Sequence, residues 1–264
     1  MPAHPLASCR AALGFLTILP VAPRDLTTGL AHARAWFPAV GLLLGAVLAA
    51  LDAGLRALHL PPLLAGALLV AALAALTRGL HLDGFMDSCD ALFGGYDRER
   101  RLEILRDPHV GAFAVAGVVC LLLVKFAALA ALPEGNRARI LLLFPCLSRT
   151  AILLVMEWFP YLRRAGLGTP LLQHRGRFWL WYGLPLALAA AVVLTGLPGL
   201  ALAVLAGAVA WAAGAWATRL LGGVTGDVYG AVNETVEAAV LVLAVILTAG
   251  GAGTPSSPLA ESGG

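Results

Sequence analysis

The sequence predicts an all-α fold: a polytopic membrane helical bundle of about seven transmembrane helices, with a short amphipathic helix after an acidic motif. Three observations carry this. Of 264 residues, 60% are hydrophobic and 12% are charged, where an ordinary soluble domain has about 25% charged. The apolar residues form runs long enough to cross about 30 Å of hydrocarbon. The few charges are gathered into short segments between those runs.

Residues 1–24 hold Arg10, a short apolar run and Pro20 and Pro23. The run is too short to span, so it is expected as a retained interfacial segment and not a cleaved leader. The first span covers about residues 36–58 and contains Gly41 and Gly45, a GxxxG spacing that permits close helix contact. Asp52 and Arg56 mark its far end, and Pro61-Pro62 restarts the chain. The second span, about 63–80, leads directly into the acidic stretch. Ala91 to Tyr96 reads as a turn because of the paired glycines 94 and 95. Asp97 then reads as the N-cap of an amphipathic helix, 98–106, that ends before Asp107-Pro108-His109.

A third span follows at about 111–132 and a tight turn at 133–136. The fourth, about 138–158, carries Arg149, whose burial needs a partner or a wet cavity. A polar segment, 160–177, brings Arg163, Arg164, His174, Arg175 and Arg177. The fifth and sixth spans, about 178–197 and 200–221, are joined by a turn at Pro198-Gly199. A glycine-rich segment, 221–234, holds Asp227, and the last span covers about 235–247 with Glu234 and Glu237 at its start. Residues 1–248 thus form one integral membrane domain, and 249–264, rich in Gly, Ser and Pro, a disordered tail.

The formal net charge is +3 and Lys125 is the only lysine, so no basic block suggests nucleic acid. Cys9, Cys89, Cys120 and Cys146 are scattered without a CxxC and read as reduced small hydrophobes. His81 and Cys89 alone are too few for a zinc site. With the N-terminus in the cytoplasm, thirteen arginines fall on that side against Arg56, Arg137 and Arg139 opposite. That bias sets the expected orientation in a bacterial inner membrane. It also places the acidic stretch, the 160–177 segment and the Asp227 segment on one face.

The acidic stretch runs from His81 to Asp90. On a helix, Asp83, Asp87 and Asp90 share one face. Like charges repel there, and a bound Mg²⁺ explains their company, because it takes carboxylate oxygens and keeps waters and substrate phosphates as its other ligands. Carboxylates for metal, arginines nearby and glycine-rich backbone point to transfer at a phosphate or pyrophosphate. One carboxylate not committed to metal can accept the proton of an attacking hydroxyl. Asp83, Asp87 and Asp90 are therefore the expected catalytic residues, with Asp107 and Asp227 as further metal ligands. His81, Arg106, Arg149 and Gly226 are the expected contacts to substrate or phosphate.

His81-Leu82-Asp83-Gly84 with Asp87-Ser88-Cys89-Asp90 resembles the HxDGxxDxxD signature of the cobalamin synthase (adenosylcobinamide-GDP ribazoletransferase) family. The likeness continues through residues 15–21, 37–46, 103–107 with Gly111, Ser148-Arg149, Gly166-Leu167-Gly168 and 221–227. Ala91 stands where many relatives have Gly. The resemblance implies an integral membrane, Mg²⁺-using enzyme. It joins adenosylcobinamide-GDP to α-ribazole or its 5′-phosphate, releases GMP and completes adenosylcobalamin or its 5′-phosphate. Partners are then those substrates and the lipid bilayer, with homo-oligomers or association with other cobalamin-assembly enzymes left open. A looser similarity to CDP-alcohol phosphotransferases rests on Asp87-Ser88-Cys89-Asp90, but the rest of that signature is absent. A cation transporter and a non-catalytic membrane scaffold are the alternatives from other classes. A transporter tends to have acids near mid-membrane, where the residues placed inside spans here are Lys125 and Arg149.

Overall fold

A computed structural model describes residues 5–22, 32–162 and 178–249. Those residues form ten α-helices and one 3-10 turn, with no strand beyond an isolated bridge between Tyr161 and Val224. The arginines and glycines of 163–177 and the tail from residue 250 lie outside the described residues.

Helix α1 is Pro5–Leu16. A 3-10 turn, Arg34–Trp36, leads into α2, Phe37–Ala57. Helix α3 is Pro62–Leu76 and α4, the acidic helix, is Leu80–Gly94. The short α5 is Arg98–Ile104. Then come α6, Ala112–Ala131, and α7, Glu134–Trp158. The last three are α8, Phe178–Thr195, α9, Leu197–Leu221, and α10, Gly226–Ala249.

Five described helices are long and apolar enough to cross a membrane, and six if α3 and α4 count as one broken span. Helix α8 supplies a shorter apolar stretch, Tyr182–Thr195, about 21 Å long at 1.5 Å per residue. The expected seven spans are therefore five or six plus this short one. The polytopic all-α bundle stands.

The break between α3 and α4 is a bend of 92°. It is made by Arg78 and Gly79, both left-handed with φ of 55° and 66°. The Gly79 N–H reaches the Ala74 carbonyl at 2.8 Å and the Arg78 N–H that of Ala75 at 3.1 Å, the bond pair of a Schellman cap. Arginine is costly in that conformation. Its guanidinium reaches the Gly14 carbonyl of α1 at 3.2 Å, which ties the bend to the N-terminal segment.

Smaller boundaries also shift. Helix α4 continues through Gly94, so the expected 91–96 turn shrinks to Gly95-Tyr96. Helix α7 starts at Glu134, inside the expected 133–136 turn, because Pro133 pre-sets its entry. The turn before α9 lies at Gly196, φ 68°, one residue before the helix that contains Pro198 and Gly199. The last helix starts at Gly226 and not near Thr235, so Asp227 sits in its first turn.

Helix α7 is the most buried of the bundle; Leu141, Leu143, Phe144 and Leu153 are fully enclosed. The GxxxG reading holds. A Cβ on Gly41 would collide with the Pro145 carbonyl, and one on Gly45 would lie 2.6 Å from Leu141 O. Helix α2 thus meets α7 backbone to backbone. At one end of the bundle, buried Asp52 accepts from Arg137 Nε at 2.7 Å and Arg56 Nε at 3.1 Å. Arg137 also donates to the carbonyl of Leu129 at the end of α6. The other end gathers α5, the α9–α10 loop and the C-terminus of α7.

Candidate active site

Helical spacing places Asp83, Asp87 and Asp90 on one side of α4. Asp83 is exposed, while Asp87 and Asp90 are half-buried. Phe85, Ser88, Cys89 and Leu92 lie on the other side, where they line a cleft of about 220 Å³ with Trp216 and Val228. That cleft is almost wholly apolar, whereas the opposite side of α4 carries the three carboxylates.

Asp227 comes to α4 through missing side chains. A Cβ on Gly84 would lie 2.8 Å from the Asp227 carbonyl oxygen and 3.0 Å from its Cα. A Cβ on Gly230 would lie 2.8 Å from His81 O and 3.0 Å from the Gly84 Cα. Helices α4 and α10 therefore cross at backbone contact, and Asp227 abuts the turn between Asp83 and Asp87. Thr225 Oγ1 donates to Asp227 Oδ2 at 3.1 Å and orients it. Gly226 opens α10, and a Cβ there would meet nothing within 4 Å.

The loop before α10 is pinned from two sides. Val224 N–H donates to Pro160 O at 2.8 Å, and Leu162 N–H donates to Val224 O at 2.9 Å. Tyr161 stacks on Tyr229 with ring centroids 5.9 Å apart. Arg98 of α5 donates to Leu221 O at 2.7 Å. Asp97 caps α5 as expected, accepting from the Arg100 N–H at 2.7 Å. Of the three polar elements expected on one face, the acidic stretch and the start of the 160–177 segment both meet the Asp227 segment, and residues 163–177 lie outside the described residues.

Arg106 and Asp107 are exposed just after α5. Asp107 Oδ1 accepts from the His109 N–H at 3.0 Å and faces His109 Nδ1 at 2.6 Å. The His109 side chain beside it holds the Asp107 carboxyl below the usual carboxylate range.

His81 and Arg149 fall elsewhere. Both are buried, and they gather with ionic groups of two other helices, α6 and α10. Lys125 of α6 donates to Glu234 at 2.7 Å and to Glu237 at 2.5 Å. Arg149 of α7 pairs with Glu237, which also accepts from Ser148 Oγ at 3.2 Å and Asn233 Nδ2 at 3.2 Å. Two cations and two carboxylates balance, which is what removal from water demands. Arg149 Nε and His81 Nδ1 have no partner there. The partner that Arg149 needs is Glu237, on α10. This cluster was the part that sequence reading missed. Its signal was present: two bases and two acids inside apolar runs must neutralise one another.

Among the described residues no group of three or more His, Cys, Asp and Glu stands ready to hold a metal ion. Mg²⁺ asks for less, since one or two carboxylates suffice when phosphates and waters fill its other positions. Asp83 and Asp87, with Asp227 brought up by the Gly84 contact, are hard oxygen donors of the kind it takes.

The family model described as cobalamin-5-phosphate synthase matches residues 8–245. An adenosylcobinamide-GDP ribazoletransferase of Syntrophobacter fumaroxidans is 42% identical over 241 residues, 89% of this chain and 97% of its own length. One from Pseudomonas paraeruginosa is 44% identical over 243 residues, 90% and 97% of the two chains. No solved structure matches. A match across nearly every described helix, with the acidic motif inside it, means that the chain belongs to the cobalamin-5-phosphate synthase family.

Proposed function

We propose that this chain is an adenosylcobinamide-GDP ribazoletransferase whose chemistry lies along the Asp83–Asp87 side of α4, where the start of α10 abuts it. The observation that supports the site is the Gly84–Asp227 contact, which sets the backbone of a further acidic residue against the acidic helix. A hydroxyl of α-ribazole or its 5′-phosphate attacks the phosphorus on the cobinamide side of the pyrophosphate. A new O–P bond forms, the P–O–P bridge breaks, and GMP leaves with that bridging oxygen. The product is adenosylcobalamin or its 5′-phosphate, so the step completes cobalamin assembly.

Asp83, Asp87 and Asp227 are the residues to hold Mg²⁺, with Asp107, exposed after α5, as a further carboxylate. When bound, the ion neutralises charge on the pyrophosphate oxygens. A carboxylate of this group takes the proton of the attacking hydroxyl. Arg106, exposed after α5, and the open backbone at Gly226 suit the phosphates of the nucleotide. His81 and Arg149 act from within the bundle, through the buried cluster that backs α4. The arginine bias of the loops supports the active-site end facing the cytoplasm.

Purified protein in lipid vesicles, given adenosylcobinamide-GDP, α-ribazole and Mg²⁺, should form adenosylcobalamin with one GMP per product. Absence of product from folded protein with both substrates would reject the reading. Turnover of a CDP-alcohol instead would favour the alternative enzyme class.

A further inference from the structure

We propose that Asp90 is a positioning residue, the N-cap of α6 supplied from another helix, and that the reacting groups see Asp83 and Asp87. This rests on the functional reading above. Gly111 occupies the N-cap position of α6 with extended backbone, φ −96° and ψ 177°, and offers no side chain. A helix start leaves N–H groups without partners, and a capping side chain normally accepts from the N–H two or three residues on. Here the Asp90 carboxylate does so from α4. Its Oδ1 accepts from the Ala114 N–H at 2.9 Å, the third helical position. Its Oδ2 accepts from the Gly111 N–H at 2.6 Å. One carboxylate thus makes both bonds that a capping box divides between two side chains. Its charge also faces the positive end of the α6 dipole.

The glycine is required by this cap. A Cβ on Gly111 would lie 2.6 Å from Asp90 Oδ1 and 2.8 Å from its Cγ. Two turns on, a Cβ on Gly117 would lie 2.8 Å from Cys89 Sγ, so the same stretch of α4 is pressed against α6 there too. Deeper in the bundle α6 is held again, by Lys125 on Glu234 and Glu237. The cap therefore fixes the C-terminal half of α4 on a helix that is itself anchored, and this sets the rotation at which Asp83 and Asp87 are presented. It also fills the start of α6, which is closed to substrate phosphate.

The test compares wild type, Asp90→Ala and Asp90→Ala/Gly111→Asp. The second substitution restores a cap within α6, in space that loss of the Asp90 carboxylate opens. Amide hydrogen exchange at residues 111–116 is read beside kcat for GMP release and the Mg²⁺ concentration for half-maximal rate. In Asp90→Ala, exchange should rise about tenfold and kcat should fall. In the double variant exchange should return toward wild type while kcat stays low, because a cap within α6 no longer ties it to α4. The Mg²⁺ requirement should stay constant throughout. Unchanged exchange in Asp90→Ala would overturn the cap. Rescue of kcat by the cap within α6 would overturn the tie to α4, and a tenfold change in Mg²⁺ requirement would make Asp90 a direct participant. If Asp90→Ala does not reach the membrane, Asp90→Asn alone, which keeps one accepting oxygen, is compared with wild type, and unchanged exchange there would overturn the cap. Wild type that releases no GMP would reject the functional reading alone, because the exchange experiment still reads the cap.

Discussion

Lys125 Nζ lies 2.7 Å from Glu234 Oε2, with both side chains buried, although 109 residues separate them. The pair joins α6 to α10 inside the bundle, and Glu237 extends it to Arg149 of α7. Three helices around the acidic one are thereby locked in register. Such a lock specifies arrangement more than it adds stability, because desolvation offsets most of the attraction.

Removing one member should therefore be far worse than removing a matched set. Lys125→Met leaves Glu234 and Glu237 facing each other in a dry interior and should lower stability by about 3–5 kcal/mol. Lys125→Met with Glu234→Gln should recover a large part of that. Thermal unfolding in detergent, followed by loss of monodisperse protein, reads the difference. Equal losses in the single and double variants would mean that the cluster is not coupled.

The Gly84 contact makes a different kind of demand. Gly84→Ala places a methyl 2.8 Å from a backbone oxygen, so α10 must move away from α4. A shift of about 1 Å at reacting groups can cost on the order of 10²-fold in rate. We expect kcat to fall on that scale while the protein still folds. Gly54→Ala is the control, since a Cβ there meets nothing within 4 Å. Similar rates for the two variants would remove the α4–α10 crossing from the account of the site.

At the opposite end of the bundle, Asp52 is the shared acceptor of Arg56 and Arg137. Asp52→Ala strands a buried arginine and should destabilise by about 3–5 kcal/mol. Substrate KM should be unchanged in the folded fraction, because this ion group belongs to the end away from the carboxylates. Steady-state kinetics beside thermal unfolding separates the two effects. A raised KM with unaltered stability would contradict this assignment.

Much of the fold is legible in the residues. The apolar runs, the GxxxG at Gly41 and Gly45, and the cap at Asp97 depend on neighbours within a few positions, and each is found. The bend after α3 is only half legible: Gly79 invites a left-handed residue, but Arg78 joins it against its own preference. Helical spacing also groups Asp83, Asp87 and Asp90 correctly on one face. It does not reveal that Asp90 looks toward the start of α6 while Asp83 looks outward, because spacing says nothing of which neighbouring helix end stands opposite. Arg149 shows the same limit, with its partner 88 positions away.

The most direct test of the carboxylate chemistry is GMP release by purified protein across a Mg²⁺ titration, for wild type, Asp83→Asn and Asp87→Asn. Release should require adenosylcobinamide-GDP, α-ribazole and Mg²⁺, and should stop with a chelator. Both variants should fold, lose at least about 10²-fold in kcat, a typical size for loss of a positioned acid–base group, and need more Mg²⁺. Near-wild-type rates and an unchanged Mg²⁺ requirement in both variants would contradict the assignment of the reaction to this face of α4.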